Sequence, residues 1–177
     1  MKRVLTLLCC FSLCSISGLA QKKSARPAMS DQQFVDFAGQ TDMVDANLGQ
    51  LANSANPSLP IKDYAQKLVT DQTTDFRKLL QIAHEAHLQV PSAIDKEQNK
   101  TMVGPLQELK GTAFDRRFVK EMIAGDTKAI KVYEKEVDAG QSLDVRDYAQ
   151  AALPGLRTHL ADAKELEEST ASAAKKG

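Results

Sequence analysis

Tryptophan is absent, aromatic residues make up 5% of the chain, and cysteine occurs three times in 177 residues. All three cysteines, Cys9, Cys10 and Cys14, lie close to the amino terminus. Beyond them there is no thiol, which excludes disulfide staples, thiolate nucleophiles and cysteine-ligated metals from the rest of the chain. Charge of one sign is also missing: 23 Lys and Arg balance 23 Asp and Glu. A nucleic-acid-binding surface needs a clustered basic face, so nucleic acid is not expected as a partner. No Gly-rich phosphate loop, Ser/His/Asp order or Cys/His pair occurs. With so few aromatics, packing falls to aliphatic side chains and Ala. The abundant Ala, Leu, Lys, Glu and Gln are helix formers. The length suits one domain, able to bury roughly 68–70% of its unfolded surface.

The amino terminus reads as an export signal. Lys2 and Arg3 form a positive n-region, residues 4–19 an apolar stretch broken by small residues, and Gly18-Leu19-Ala20 a small-x-small cleavage site. The stretch is too interrupted for a membrane span of about 20 residues. A cleaved signal at 1–20 sends the chain to the periplasm, with outer-membrane association as a variant. A lipoprotein signal is the rival, although Leu13-Cys14 fits it badly. Removal of Lys2 and Arg3 leaves 21 basic residues against 23 acidic ones.

A flexible basic leader is expected at 21–29, a helical domain at 30–168 and a flexible polar tail at 169–177. Ser30 and Gln33 make a capping box, with Met29 and Phe34 as its hydrophobic staple. Phe34, Phe37, Ala38, Thr41, Val44, Leu48 and Leu51 then recur at helical spacing. A second, long amphipathic helix follows over 58–87, capped by Ser58, with Tyr64, Leu68, Gln72, Asp75 and Leu79 on its inner stripe. Residues 91–111 form a long connection with weak helical character, interrupted at Gly104-Pro105. A third helix starts at Thr112, with Asp115 completing its cap, and stops before Gly140. Its Lys128, Lys131, Glu134, Lys135 and Glu136 read as a solvated face. The fourth starts at Ser142 and contains Pro154, which removes a backbone hydrogen bond and predicts a kink.

The chain repeats itself. Ser58-Leu59-Pro60-Ile61-Lys62-Asp63-Tyr64-Ala65-Gln66 matches Ser142-Leu143-Asp144-Val145-Arg146-Asp147-Tyr148-Ala149-Gln150 at an offset of 84, and Ala38-Gly39-Gln40-Thr41 matches Ala124-Gly125-Asp126-Thr127 at 86. Two copies of one helical hairpin, joined by a connection long enough to run along a bundle, predict an all-α, ferritin-like antiparallel four-helix bundle with one long crossover.

Asp36-Phe37-Ala38, Leu48-Gly49-Gln50-Leu51-Ala52, Tyr64-Ala65-Gln66-Lys67-Leu68-Val69-Thr70-Asp71, Gly111-Thr112-Ala113-Phe114-Asp115-Arg116 and Leu153-Pro154-Gly155-Leu156-Arg157-Thr158-His159-Leu160 together resemble the bacterial domain-of-unknown-function family 4142. The resemblance spans nearly the whole chain after the signal. It implies an exported four-helix bundle of the periplasm or outer membrane. It also implies a His just after Asp71, another at the position of Asp126 and a third at His159. This chain has Gln72, Asp126 and His159.

A carboxylate-bridged di-metal bundle places Glu on two helices and Glu-x-x-His on the other two. The corresponding positions here are Gln40, Gln72, Asp75, Asp126 and His159, without one intact Glu-x-x-His. The candidate metal residues are therefore Asp75, Asp126 and His159, with Gln40 and Gln72 as polar neighbours. The same set also reads as a buried cluster in which Asp75 or Asp126 pairs with His159. His84 and His87, at i and i+3, are a second candidate pair for Zn or Cu. Tyr64 and Tyr148 are repeat mates, readable as metal-adjacent tyrosines or as packed rings whose hydroxyls reach solvent or a carbonyl. The first expectation is a non-catalytic envelope protein with a binding or stress-related role, no cofactor, and an unidentified envelope protein as partner. The alternative is a metal-binding bundle holding a transition metal such as iron.

Overall fold

The computed structural model describes residues 29–174. The expected signal at 1–20 and the leader at 21–29, Met29 excepted, lie outside the described residues. Six α-helices and one π-helical turn, with no strand among the described residues, follow in the order α1 (Asp31–Ala55), α2 (Leu59–Glu85), α3 (Lys96–Gln98), the π-turn (Asn99–Val103), α4 (Gly104–Gln107), α5 (Gly111–Ala139) and α6 (Leu143–Ala174). The long helices α1, α2, α5 and α6 are the bundle. The short ones lie in the crossover.

The α1 start is local chemistry. Ser30 Oγ accepts from Gln33 N at 3.2 Å while Gln33 Oε1 accepts from Ser30 N at 3.0 Å, which is the capping box. Two of the other long helices begin differently from expectation. Ser58 makes no side-chain cap for α2, and α5 begins one residue early, at Gly111, behind Lys110. Asp115 does not cap its own helix. Its Oδ2 accepts from Ser58 N at 3.1 Å, so it satisfies the start of α2 instead. Its repeat mate Asp31 does the same at the other end, taking Gln141 N and Ser142 N at 2.8 Å each, just before α6. Each hairpin thus supplies the carboxylate that closes the other hairpin's second helix. Free N–H groups at helix starts favour an anion.

Three more differences are structural findings. Glu136, expected on a solvated face, is 2% exposed and tucked under Gly140 and Arg146. α6 carries Pro154 in its interior, where the sequence places it, but continues to Ala174 through the segment expected to fray. His87 lies past the end of α2 at a φ of 56°, so His84 and His87, both exposed, do not share a helical face.

The core consists of two apolar clusters. One gathers Leu48, Ile61, Tyr64, Leu68, Phe114, Phe118 and Met122; the other gathers Phe34, Leu79, Tyr133, Val145, Tyr148 and Leu156. α1 and α6 run from the second cluster to the first, and α2 and α5 run the opposite way. α1 packs on α2 and α5, and α6 packs on α5 and α2, so every neighbouring pair is antiparallel. Residues 86–110 cross from Leu88 and Val90 in one cluster to Met102, Leu106 and Leu109 in the other. This one-crossover connectivity is that of ferritin-like bundles. Two glutamines of α1 clamp the crossover. Gln32 takes both the carbonyl and the N–H of Gln89, at 2.7 and 2.9 Å, and Gln40 takes Ala93 O and Asp95 N, at 2.9 and 2.8 Å.

Close approach of α1 and α2 depends on Gly49: a Cβ there would lie 2.8 Å from Val69 Cγ2 and 2.9 Å from the Ala65 carbonyl oxygen. Gly49→Ala is expected to destabilise the fold by about 1–3 kcal/mol through overpacking. Gly155→Ala, on α6 with nothing within 4 Å of its Cβ position, is expected to stabilise it by about 0.5–1 kcal/mol. Urea melts of the two variants check both signs.

Candidate metal centre

The two apolar clusters meet at mid-bundle, and polar residues occupy the junction on every long helix. On α1 it falls at Asp42 and Asp45, on α2 at Gln72, on α5 at Asp126 and on α6 at His159. All five are 2–3% exposed. A carboxylate removed from water is costly unless it is partnered or protonated. Partners here are few. Gln72 Nε2 donates to Asp45 Oδ2 at 3.0 Å, and His159 Nε2 lies 2.9 Å from Asp71 Oδ2. Asp42 Oδ2, Asp126 Oδ2 and His159 Nδ1 are buried without any hydrogen-bond partner.

Electrostatics follow burial. Desolvation, then the Asp75 and Asp45 charges, hold the Asp42 carboxyl well above the usual carboxylate range. Desolvation pushes Asp45 up to about 7, opposed by the hydrogen bond from Gln72. Desolvation and the Asp45 charge push Asp126 up to about 8. At the rim the balance is opposite. Burial acts to raise Asp71, but hydrogen bonds from His159 and Lys67 outweigh it and lower its pKa. Lys67 Nζ sits 3.2 Å from the same Oδ2 that His159 contacts.

Tyrosines brace the belt from both sides. Tyr64 OH donates to His159 O at 3.3 Å and Tyr148 OH to Asp75 O at 3.4 Å, so repeat mates bond to carbonyls of repeat mates. Their rings stand edge-on to Phe118 and Phe34, themselves mates, at 6.0 and 6.3 Å. Both hydroxyl pKa values are raised by burial first and by nearby carboxylates next. These phenols are donors in the fold, as buried tyrosines with a carbonyl in reach are.

Of the residues singled out from sequence, Asp126, Gln72 and His159 lie in the belt. Asp75 sits at the rim, where Oδ1 takes Lys78 Nζ at 2.9 Å. Asp75, Asp71 and His159 line one cleft of about 280 Å³ between α2 and α6. Asp126 is not on that cleft, and His159 pairs with Asp71 rather than with Asp75 or Asp126. Gln40 lies outside the belt and holds the crossover. Asp42, Asp45 and Asp71 were missed. The signal for Asp42 was present: Asp42 and Asp126 are mates at the offset of 84 that relates Tyr64 to Tyr148, and the Ala-Gly-x-Thr match at 86 hid it. Asp45 and Asp71 have no polar mate to reveal them, as the corresponding residues are Ala129 and Gly155.

Chemically, the belt offers carboxylate oxygens from α1 and α5, one amide from α2 and one imidazole from α6. Among the described residues, no three His, Cys, Asp or Glu side chains stand together as a finished ion cage. The donor types suit a metal ion nonetheless. Two of the unpartnered atoms are carboxylate oxygens and the third an imidazole nitrogen, the mixture that borderline transition-metal ions accept.

The family model for a domain of unknown function (DUF4142) matches residues 17–166. The chain belongs to the DUF4142 family. No curated protein matches it. Two solved structures share the DUF4142 chain's fold. One is CopM in the Cu(II)-bound form, 14% identical, with a TM-score of 0.65 over 79% of this chain and 97% of the other. The second is CopM in the Ag-bound form, obtained by co-crystallization, 15% identical, with a TM-score of 0.60 over 79% and 96%. The expectation of no cofactor is corrected by this pair: both neighbours of this DUF4142 chain were solved with a metal bound, copper(II) in one and silver in the other. No helix among the described residues is long and apolar enough to cross a membrane.

The raised carboxyls predict an unusual pH response for the metal-free protein. In the unfolded chain an Asp titrates near 3.8; in the fold Asp45 and Asp126 hold their protons to about 7 and about 8. Below the unfolded value both states are protonated and the full stability is present. As pH rises from there, the unfolded chain releases protons that the fold retains, so stability falls until the folded values are passed. The drop is expected to be on the order of a few kcal/mol. Asp126→Asn, which cannot ionise, should lessen it and leave the share that Asp45 contributes. Urea melts with chelator present, from about pH 5 to about pH 8, measure both slopes.

Proposed function

We propose that this chain is an exported, non-catalytic metal-binding bundle protein of the bacterial envelope. Its ion is a borderline transition metal, with copper(II) the first candidate, bound within the mid-bundle belt. His159 and Asp126 are the proposed ligands, joined by Asp42 or Asp45, with Asp75 and Asp71 at the rim of the cleft. The observation that carries this reading is the set of unpartnered buried atoms at the junction of the two apolar clusters, Asp42 Oδ2, Asp126 Oδ2 and His159 Nδ1. A core that only needed to pack would place aliphatic side chains there. The metal-bound CopM structures support the choice of ion class. The basic and apolar opening of the sequence, with its small-residue cleavage site, supports export.

Binding must close the belt around the ion, since no cage stands ready, and must expel protons from carboxyls that hold them near neutral pH. Copper(II) at a hundredfold excess over its dissociation constant is expected to stabilise the protein by about 2.7 kcal/mol. His159→Ala and Asp126→Asn should each abolish that shift. Calorimetric titrations in buffers of different ionisation enthalpy should show proton release on uptake. Copper(II) that raises stability equally in the His159→Ala protein would place binding elsewhere and sink this assignment.

A further inference from the structure

The two nitrogens of His159 face different worlds. Nε2 points outward to Asp71 Oδ2 at 2.9 Å, in the α2/α6 cleft, and Nδ1 is buried without a partner. We propose that Asp71 is a positioning residue that fixes His159 in the Nε2–H tautomer, so that Nδ1 presents its lone pair inward as the one nitrogen ligand of the belt. The proposal rests on the belt being an ion site and adds how that site selects its ion.

The argument is one of donors and acceptors. Asp71 is shared with Lys67 Nζ, at 3.2 Å from the same oxygen, and an ionised carboxylate only accepts. The hydrogen between Asp71 and His159 therefore belongs to Nε2. In a neutral imidazole the other nitrogen then carries the lone pair. The opposite tautomer would set a lone pair against a carboxylate oxygen at 2.9 Å and bury an N–H with no acceptor. Tyr64 holds the stretch in place: its hydroxyl donates to the His159 carbonyl, and its ring stands edge-on to the imidazole at 6.4 Å. A carboxylate on the far nitrogen of a ligating histidine orients the ring and raises its basicity. One such imidazole among carboxylates favours Cu(II) or Zn(II) over Mg²⁺ or Ca²⁺, which are served by oxygen alone. Position 72, which is not on the cleft that Asp71 lines, holds an amide bonded to Asp45, so α2 offers no second imidazole to the belt.

Two readouts test this on the same protein. In chelator-treated protein, multiple-bond ¹H–¹⁵N spectra, with His159 assigned by comparison with His159→Gln, should show the Nε2–H tautomer. In titrations, Asp71→Ala should weaken Cu(II) binding about 10–100-fold with the fold intact by circular dichroism. Asp71→Asn, whose amide oxygen still accepts from Nε2–H, should recover most of that loss. Absence of Cu(II) uptake by the wild type would overturn the ion-site reading and with it the ligand role of Nδ1. An Nδ1–H tautomer, or Asp71→Ala binding within about twofold of wild type, with uptake intact, would overturn the role of Asp71 alone.

Discussion

A polar layer must survive between two apolar clusters, and the rest of the bundle is arranged around that requirement. Carboxyls of Asp42, Asp45 and Asp126 sit out of water at mid-bundle, where an unpaired charge is unaffordable. The fold answers with proton retention, with the Gln72 amide on Asp45, and with His159 tied outward to Asp71. What is left over in the belt is three atoms with nothing to bond; Asp115 Oδ1 and Glu136 Oε1 are the other two such atoms among the described residues. In a protein made stable only by packing, such atoms would be replaced by methyl groups, because well-packed apolar substitutes are generally at least as stable. Their presence is the strongest physical reason to assign the belt a ligand.

The duplication explains how four helices bring these groups to one level. Mates at an offset of 84 do equivalent jobs at opposite ends: Asp31 and Asp115 cap the partner hairpin, Phe34 and Phe118 receive a tyrosine ring, and Tyr148 and Tyr64 reach carbonyls across the bundle. Asp42 and Asp126 continue this symmetry into the belt. It fails where function would be expected to break it. Gln72 corresponds to Leu156, and Asp75 corresponds to His159. The single imidazole and its Asp71 partner therefore have no copy on the other side.

Rigidity outside the belt has its own sources. The crossover has little helix of its own and is held by the Gln32 and Gln40 side-chain amides through paired hydrogen bonds to its backbone, each worth about 1 kcal/mol net. Gly49 lets α1 and α2 approach where any side chain would collide with Val69 and the Ala65 carbonyl. Lys128 lies over the Phe37 ring at 5.3 Å on the α1/α5 side, where both line a pocket with Asp45.

The amino-acid sequence by itself determined the four long helices and their connectivity, because these follow from local capping, apolar periodicity and loop length. It also exposed the duplication, and it marked Asp126, Gln72 and His159. It misjudged groups whose partners lie far along the chain. Asp115 reads as its own helix's cap and serves Ser58; Glu136 reads as surface and is buried. Gln40 reads as a site neighbour and is a clamp, because a match two residues out of register cannot say which side of a helix faces inward. Only tertiary structure decided that Asp71 meets His159 across 88 residues, and that three of the five buried unpartnered side-chain atoms among the described residues fall in the belt. Hydrogen bonding between side chains on different helices depends on rotation and height within ångströms, and no local pattern encodes those.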